Sequence, residues 1–280
     1  MTVMMIIKTG AKPTPPPARP GLLFEKDLHR YRMNTHRNSS DYKRVTGVTT
    51  LINSTLAKPA LVDYQVHAVA RAVRENMPEV LAMHADVATQ KMHPFAFDKA
   101  VVQLSEKRRD RAAARGTAVH DAAEKVADGH EVTVPKELHK PVNHYADWLD
   151  DWDVEVLLKE RPCGNRTEWY AGTFDLIARF HAGPHAGKTW LVDLKTSNQV
   201  YGETALQAVA YAMCEFYVDE NKQDQDMPTI DGIGVLHLNK DGAFFHDLGD
   251  MEAAAEEFEA ILLLHQSRAR RESLIKKETP

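Results

Sequence analysis

The residues of this chain best placed to do chemistry are Asp175, Asp193 and Lys195, carried in Gly172-Thr173-Phe174-Asp175 and Asp193-Leu194-Lys195. Two carboxylates and a lysine on neighbouring strands make a compact place to hold a divalent cation beside a phosphate. A phosphodiester is shielded by its own negative charge, so its hydrolysis needs a neutralising cation and a deprotonated water held in line. The aspartates supply hard oxygen ligands, and the backbone carbonyl of Leu194 a further one. Lys195 can orient the water and stabilise charge developing on the phosphate. Glu160, at the end of the preceding apolar run, can hold a water or a second ion. A single Asp-x-Lys is weak evidence, and aspartates at strand ends are often turn-formers. Both carboxylates here interrupt strongly apolar segments, where an unpaired charge is costly, and that favours a site.

Strands must carry these groups. Period-two alternation points Trp190, Val192 and Leu194 to one face and Leu191, Asp193 and Lys195 to the other. Thr173, Asp175 and Ile177 share a face by the same counting. The pattern predicts strands over 154–160, 170–180 and 189–196, a helix over 202–220, and strands over 232–239 and 243–248. A long helix over 251–277 closes the chain, acidic first and basic later, as the helix dipole favours. Upstream, 28–50 reads as short strands and turns, with 47–51 entering a strand or helix. Helical patterns follow over 59–76, 98–115 and 142–152. Gly116 is expected to interrupt a helix, Thr117 to cap the next and Gly129 to end it. The fold class is therefore α/β, a central mixed sheet flanked by helices with a helical N-terminal extension. In parts this gives a stiff or disordered proline-rich leader at 1–27, a mainly helical stretch at 28–153, a strand-rich core at 154–250 and a closing helix at 251–280. Residues 28–280 are expected to form one domain.

Composition narrows the function. With 280 residues, 43% hydrophobic and 27% charged, the chain can bury a real core. Two cysteines, Cys163 and Cys214, exclude a disulfide framework and a four-cysteine zinc or iron–sulfur site built from this chain, and suit a reducing compartment. No apolar run reaches membrane-spanning length, so no membrane partner is expected. A net charge of −5 argues against indiscriminate coating of nucleic acid. Its distribution says more: residues 1–60 carry ten Lys or Arg against three Asp or Glu. Lys107, Arg108, Arg109, Arg111 and Arg115 then run into the segment of His120. Charge runs are usually solvated helix faces, but one abutting an acidic metal site would guide a polyanion to it. Ala182-Gly183-Pro184-His185-Ala186-Gly187-Lys188-Thr189 is one residue short of a phosphate-binding loop and precedes a strand, so it reads as a turn. The histidines include no HExxH pair, which removes a zinc protease.

His120 has Glu124 one helical turn on, and an imidazole ligand makes manganese at least as suitable as magnesium. Gln207 and Tyr211, four apart, can face the site from the next helix. The series Gly116-Thr117-x-x-His120, Glu160, Gly172-x-x-Asp175, Asp193-x-Lys195 and Gln207-x-x-x-Tyr211 resembles the PD-(D/E)XK nuclease superfamily, in its RecB-type exonuclease branch. Val48-Thr49-Thr50-Leu51 followed by Lys58-Pro59-Ala60-Leu61 is similar to the leader of phage exonucleases and mitochondrial genome-maintenance-type relatives. The resemblance implies a restriction-endonuclease-like fold and metal-dependent cleavage of DNA, usually from an end. It assigns His120, Asp175 and Asp193 to Mg²⁺ or Mn²⁺, Lys195 to the water, and Gln207 and Tyr211 to substrate, with Arg115, Thr117 and Thr196 beside them. Some relatives hold an iron–sulfur cluster on four cysteines, which this chain lacks. An exonuclease of recombination, repair or replication is expected, cytoplasmic, or in the host cytoplasm if phage-encoded. It would act on end-bearing single- or double-stranded DNA, with a recombinase or single-strand-binding protein and self-association as further partners. A structure- or sequence-specific endonuclease, and an inactive DNA-binding accessory protein, are the alternatives.

Overall fold

The structure, a computed structural model, describes residues 19–275 apart from 26, 27 and 29. The prolines at 13–17 and residues 276–277 of the expected closing helix lie outside the described residues. Three strands come first: β1 (Leu22–Glu25), β2 (Arg30–Asn34) and β3 (Tyr42–Gly47). Five helices follow: α1 (Val48–Thr55), α2 (Pro59–Glu75), α3 (Met77–Ala88), α4 (Pro94–Ala127) and α5 (His139–Asp151). The second half holds β4 (Val154–Asn165), β5 (Tyr170–Phe180), β6 (Thr189–Lys195), α6 (Glu203–Ala212), β7 (Phe216–Val218) and β8 (Asp224–Asp226). It ends with β9 (Gly232–Leu238), β10 (Ala243–Asp247) and α7 (Met251–Ser273).

All ten strands join one curled mixed sheet with β5 as its hub. On one edge β5 pairs antiparallel with β4 along its whole length. On the other it serves two partners in turn: β3, parallel, at Tyr170 and Ala171, and β6, antiparallel, over Leu176–Arg179. Residues 172–175 lie between them, with no strand paired to that edge among the described residues. β6 continues beside β9 in parallel, from Trp190↔Gly232 to Lys195↔His237, and β10 pairs with β9. At the far side, the Gly21 amide donates to the buried Asp224 carboxylate, 203 residues away, and Arg166 holds the same group.

The apolar alternation seals both faces. Leu191, Ile233 and Tyr170 pack under α1, α6 and α7, the last through Phe258 and Ile261. Trp190, Val192, Leu194 and Phe180 pack under α5 and the end of α4, through Tyr145, Trp148 and Val119. The helical extension is much thinner: α2, α3 and the first half of α4 share Ala72, Val80, Val101 and Leu104.

Five sequence expectations need correction. Leu22–Glu25, assigned to the leader, is strand β1, paired with β2. α4 runs unbroken through Gly116 and Thr117. A single glycine inside a helix costs only about 1 kcal/mol relative to alanine, which its flanking turns outweigh. Gly129, at φ +73°, does end that helix just past its cap. α6 stops at Ala212, because Glu215 is drawn onto β4: its amide donates to the Gly164 carbonyl, and its carboxylate accepts the Arg166 and Thr167 amides. Phe216–Val218 thereby becomes a strand. α3 was missing from the sequence pattern altogether. Finally, alternation slips in β5: Phe174 and Ile177, three residues apart, share one core, while Leu176 and Ala178 belong to the other. Thr173, Asp175 and Ile177 therefore do not keep one face.

Candidate metal and phosphodiester site

The slip in β5 is where the site is built. β5 and β6 stay paired as far as Leu176↔Val192 and then part. Past that point the Asp175 side chain replaces the ladder, its Oδ2 accepting the Leu194 amide at 2.7 Å. On the other edge the β4–β5 register passes from Lys159↔Leu176 to Arg161↔Phe174, leaving Glu160 and Asp175 out of the ladder. Glu160 takes a left-handed φ of +46°, which non-glycine residues adopt only where their surroundings hold them there. It thus meets Asp175 and His120: ligand atoms of His120, Glu160 and Asp175 all lie within 4.8 Å of one another.

α4 delivers His120. A Cβ on Gly116 would meet Thr196 Oγ1 at 3.2 Å, so glycine lets the helix approach the end of β6 closely, one turn before the histidine. His120 Nε2 lies 3.1 Å from the Leu194 carbonyl oxygen, which can only accept, so Nε2 carries a proton. Nδ1 faces Glu160 at 3.6 Å and Asp175 at 3.7 Å. Burial alone would lower the imidazole pKa, but the Glu160 hydrogen bond and the charges of Asp175, Glu160 and Asp193 raise it to about 9. Asp175 is raised by burial against the pull of His120 and Lys195. The Leu194 carbonyl, expected as a cation ligand, accepts from His120 Nε2 and fixes the ring.

Asp193 stands beside this trio rather than within it. It is 2% exposed, and burial, followed by the charge of Asp175, raises its pKa to about 6. Lys195 Nζ is 2.6 Å from its Oδ2, an ion pair off the line of an ordinary hydrogen bond. Nζ also donates to Gln207 Oε1 at 3.5 Å, and Gln207 Nε2 donates to Tyr211 Oη at 3.0 Å. Tyr211 is buried, so it does not reach substrate as expected; it braces Gln207. Its ring covers Gly172, where a Cβ would come within 2.3 Å of Tyr211 Cε1. Gly172-x-x-Asp175 and Gln207-x-x-x-Tyr211 are thus two halves of one contact.

Of the other expected substrate residues, Arg115 is exposed on α4 and Thr196 lies at the Gly116 crossing. Thr117 turns its hydroxyl back onto the Ala113 carbonyl at 3.2 Å. Glu124 is exposed, and its carbonyl accepts from Lys159. Sequence reasoning missed the central place of Glu160, for which Pro162 inside β4 is the available signal of irregular pairing. It also missed Tyr31, whose hydroxyl is 3.0 Å from Thr173 Oγ1 across 142 residues of sequence, a contact no local pattern announces.

Compared with known proteins, the chain matches no family model and no curated protein.

Proposed function

We propose that this chain is a divalent-cation-dependent deoxyribonuclease with a restriction-endonuclease-like core of the PD-(D/E)XK class, cutting DNA from an end in recombination, repair or replication. The observation that carries the reading is the gathering of His120, Glu160, Asp175, Asp193 and Lys195 where β5 and β6 part. The donor set suits a hard cation, being carboxylate oxygens with one imidazole, and the imidazole suits Mn²⁺ at least as well as Mg²⁺. His120, Glu160 and Asp175 would hold the ion, with Asp193 beside them. Bound there, it would neutralise the phosphate and acidify water.

The chain's own groups do the rest. The Leu194 carbonyl keeps one proton on His120 Nε2, so Nδ1, which faces Glu160 and Asp175, is the nitrogen that would bind the cation on giving up its own proton. Asp193 and Gln207 hold the Lys195 ammonium in place, from which it can donate to a phosphate oxygen or to the attacking water. Thr196 and Arg115 flank the approach. Lys107, Arg111 and Arg115, all exposed and one turn apart, line α4 toward His120 and would draw in a polyanion. The natural successors on the resulting strand are a recombinase or a single-strand-binding protein. No helix among the described residues is long and apolar enough to cross a membrane.

Digestion of end-labelled single-stranded, linear duplex and closed circular DNA with Mg²⁺, Mn²⁺ or EDTA tests this. The expected result is loss of label from linear substrates with either cation, none in EDTA, and an uncut circle. A cut circle would make the protein an endonuclease. DNA bound tightly but left intact under every condition would make it a binding module and end the reading.

A further inference from the structure

Beyond Lys195 the chain leaves β6 and runs through 197–202 into α6. With β9 and β10 this loop borders an open, shallow cavity of about 480 Å³. The cavity lies one strand over from Lys195. His237, on its wall, pairs in register with Lys195, so the two side chains stand on one face of the sheet, a strand spacing of roughly 4.8 Å apart.

Its lining is chemically mixed. Tyr201 presents an aromatic ring that is 56% exposed, and the His237 and His246 rings lie with centroids 6.2 Å apart. Leu248 adds an apolar surface. Asn198 and Gln199 bring amides whose side chains have no hydrogen-bond partner among the described residues. His237 is only 8% exposed, and its Nε2 lies 2.6 Å from the Ser197 carbonyl oxygen. A carbonyl only accepts, so Nε2 holds the proton and pins the loop to β9. In the neutral ring Nδ1 is left as an acceptor, with no partner among the described residues. A flat ring to stack on, aliphatic and imidazole walls, and free donors and acceptors at the rim fit a planar heterocycle with a hydrogen-bonding edge.

We infer that this cavity is a subsite for the base of the nucleotide next to the scissile phosphate, holding a DNA end in register with Lys195. The inference rests on the nuclease reading, and its test separates the two. Binding of the four deoxynucleoside 5′-monophosphates is measured by calorimetry, without metal, for wild type, Tyr201→Ala and His246→Ala. Mn²⁺ uptake is measured in parallel as a check that the metal site is intact. Wild type is expected to bind a monophosphate, Tyr201→Ala to bind about tenfold or more weakly, and Mn²⁺ uptake to stay unchanged. In digestion, Tyr201→Ala should raise KM with little change in kcat. A terminal abasic nucleotide should slow wild type several-fold but not slow Tyr201→Ala further. Normal hydrolysis with no monophosphate bound, or binding indifferent to both substitutions, overturns the subsite and leaves the nuclease standing. Monophosphate binding that depends on Tyr201 in a protein that cleaves no DNA supports the subsite and overturns the nuclease.

Discussion

The two ends of α4 live in different surroundings. Its last turns are clamped on the sheet, with Val119, Ala122 and Ala123 buried against β5 and α5. Its first turns share with α2 and α3 only the small cluster of Ala72, Val80, Val101 and Leu104. Around that cluster Leu61, Val62, Tyr64, Val66, Leu81 and Phe95 stand exposed. The difference follows from what each end must hold. Carboxylates buried beside a lysine tolerate little displacement, because an uncompensated charge in a dry place is expensive. The exposed basic run in the middle of α4, which under the proposed function would meet a solvated polyanion, needs reach more than precision. One helix of 34 residues, about 51 Å at 1.5 Å per residue, joins the two regimes.

That contrast can be broken at several points. The largest effect is expected from Asp193→Ala or Lys195→Ala, each lowering hydrolysis by on the order of 10²–10³-fold or more while circular dichroism reports an intact fold. Retained cleavage by both purified proteins would remove the site. Leu104→Ala should cost about 2–4 kcal/mol, but only locally. Hydrogen exchange should show α2, α3 and the start of α4 losing protection while β5 and β6 keep theirs. A loss of protection spread evenly over both would abolish the distinction. Gly172→Ala drives a methyl group into the Tyr211 ring and should cost roughly 1–3 kcal/mol in a urea titration. It should also slow hydrolysis, since Gln207 loses its brace. Gln207→Ala should be milder, about tenfold in kcat, because Asp193 still holds Lys195. The smallest change belongs to the basic run in the middle of α4: Lys107→Ala and Arg111→Ala should each flatten the salt dependence of DNA binding by about one unit of log–log slope, with kcat unmoved.

Much of this was readable in the residues, and the failures have physical causes. The alternation of Trp190–Lys195 is local, so it gave both faces of β6 correctly. Asp175 and Lys195 were visible as charges interrupting apolar runs. The face of Asp175 was misread because alternation assumes an even ladder, and here the β5 ladder skips one residue pair opposite the left-handed Glu160. Gly116 looked like a helix breaker because its value lies 80 residues away, in the room it leaves for Thr196. α6 was drawn too long because the pull on Glu215 comes from Arg166 and Thr167, which no window around residue 215 contains. The RecB-type likeness put His120, Asp175 and Asp193 on one ion. The geometry groups His120 with Glu160 and Asp175, and gives Asp193 to Lys195.

The N-terminal strands have a consequence for the order in which this protein matures. β1–β3 are the first described strands to leave a ribosome and pair with one another locally, yet β3 joins the rest of the sheet only at Tyr170, and Gly21 finds its acceptor only at Asp224. Pairings that span so much sequence form late. A chain that ends before Asp224 therefore already holds His120, Glu160, Asp175 and Asp193 but lacks the buried carboxylate that anchors its first strands.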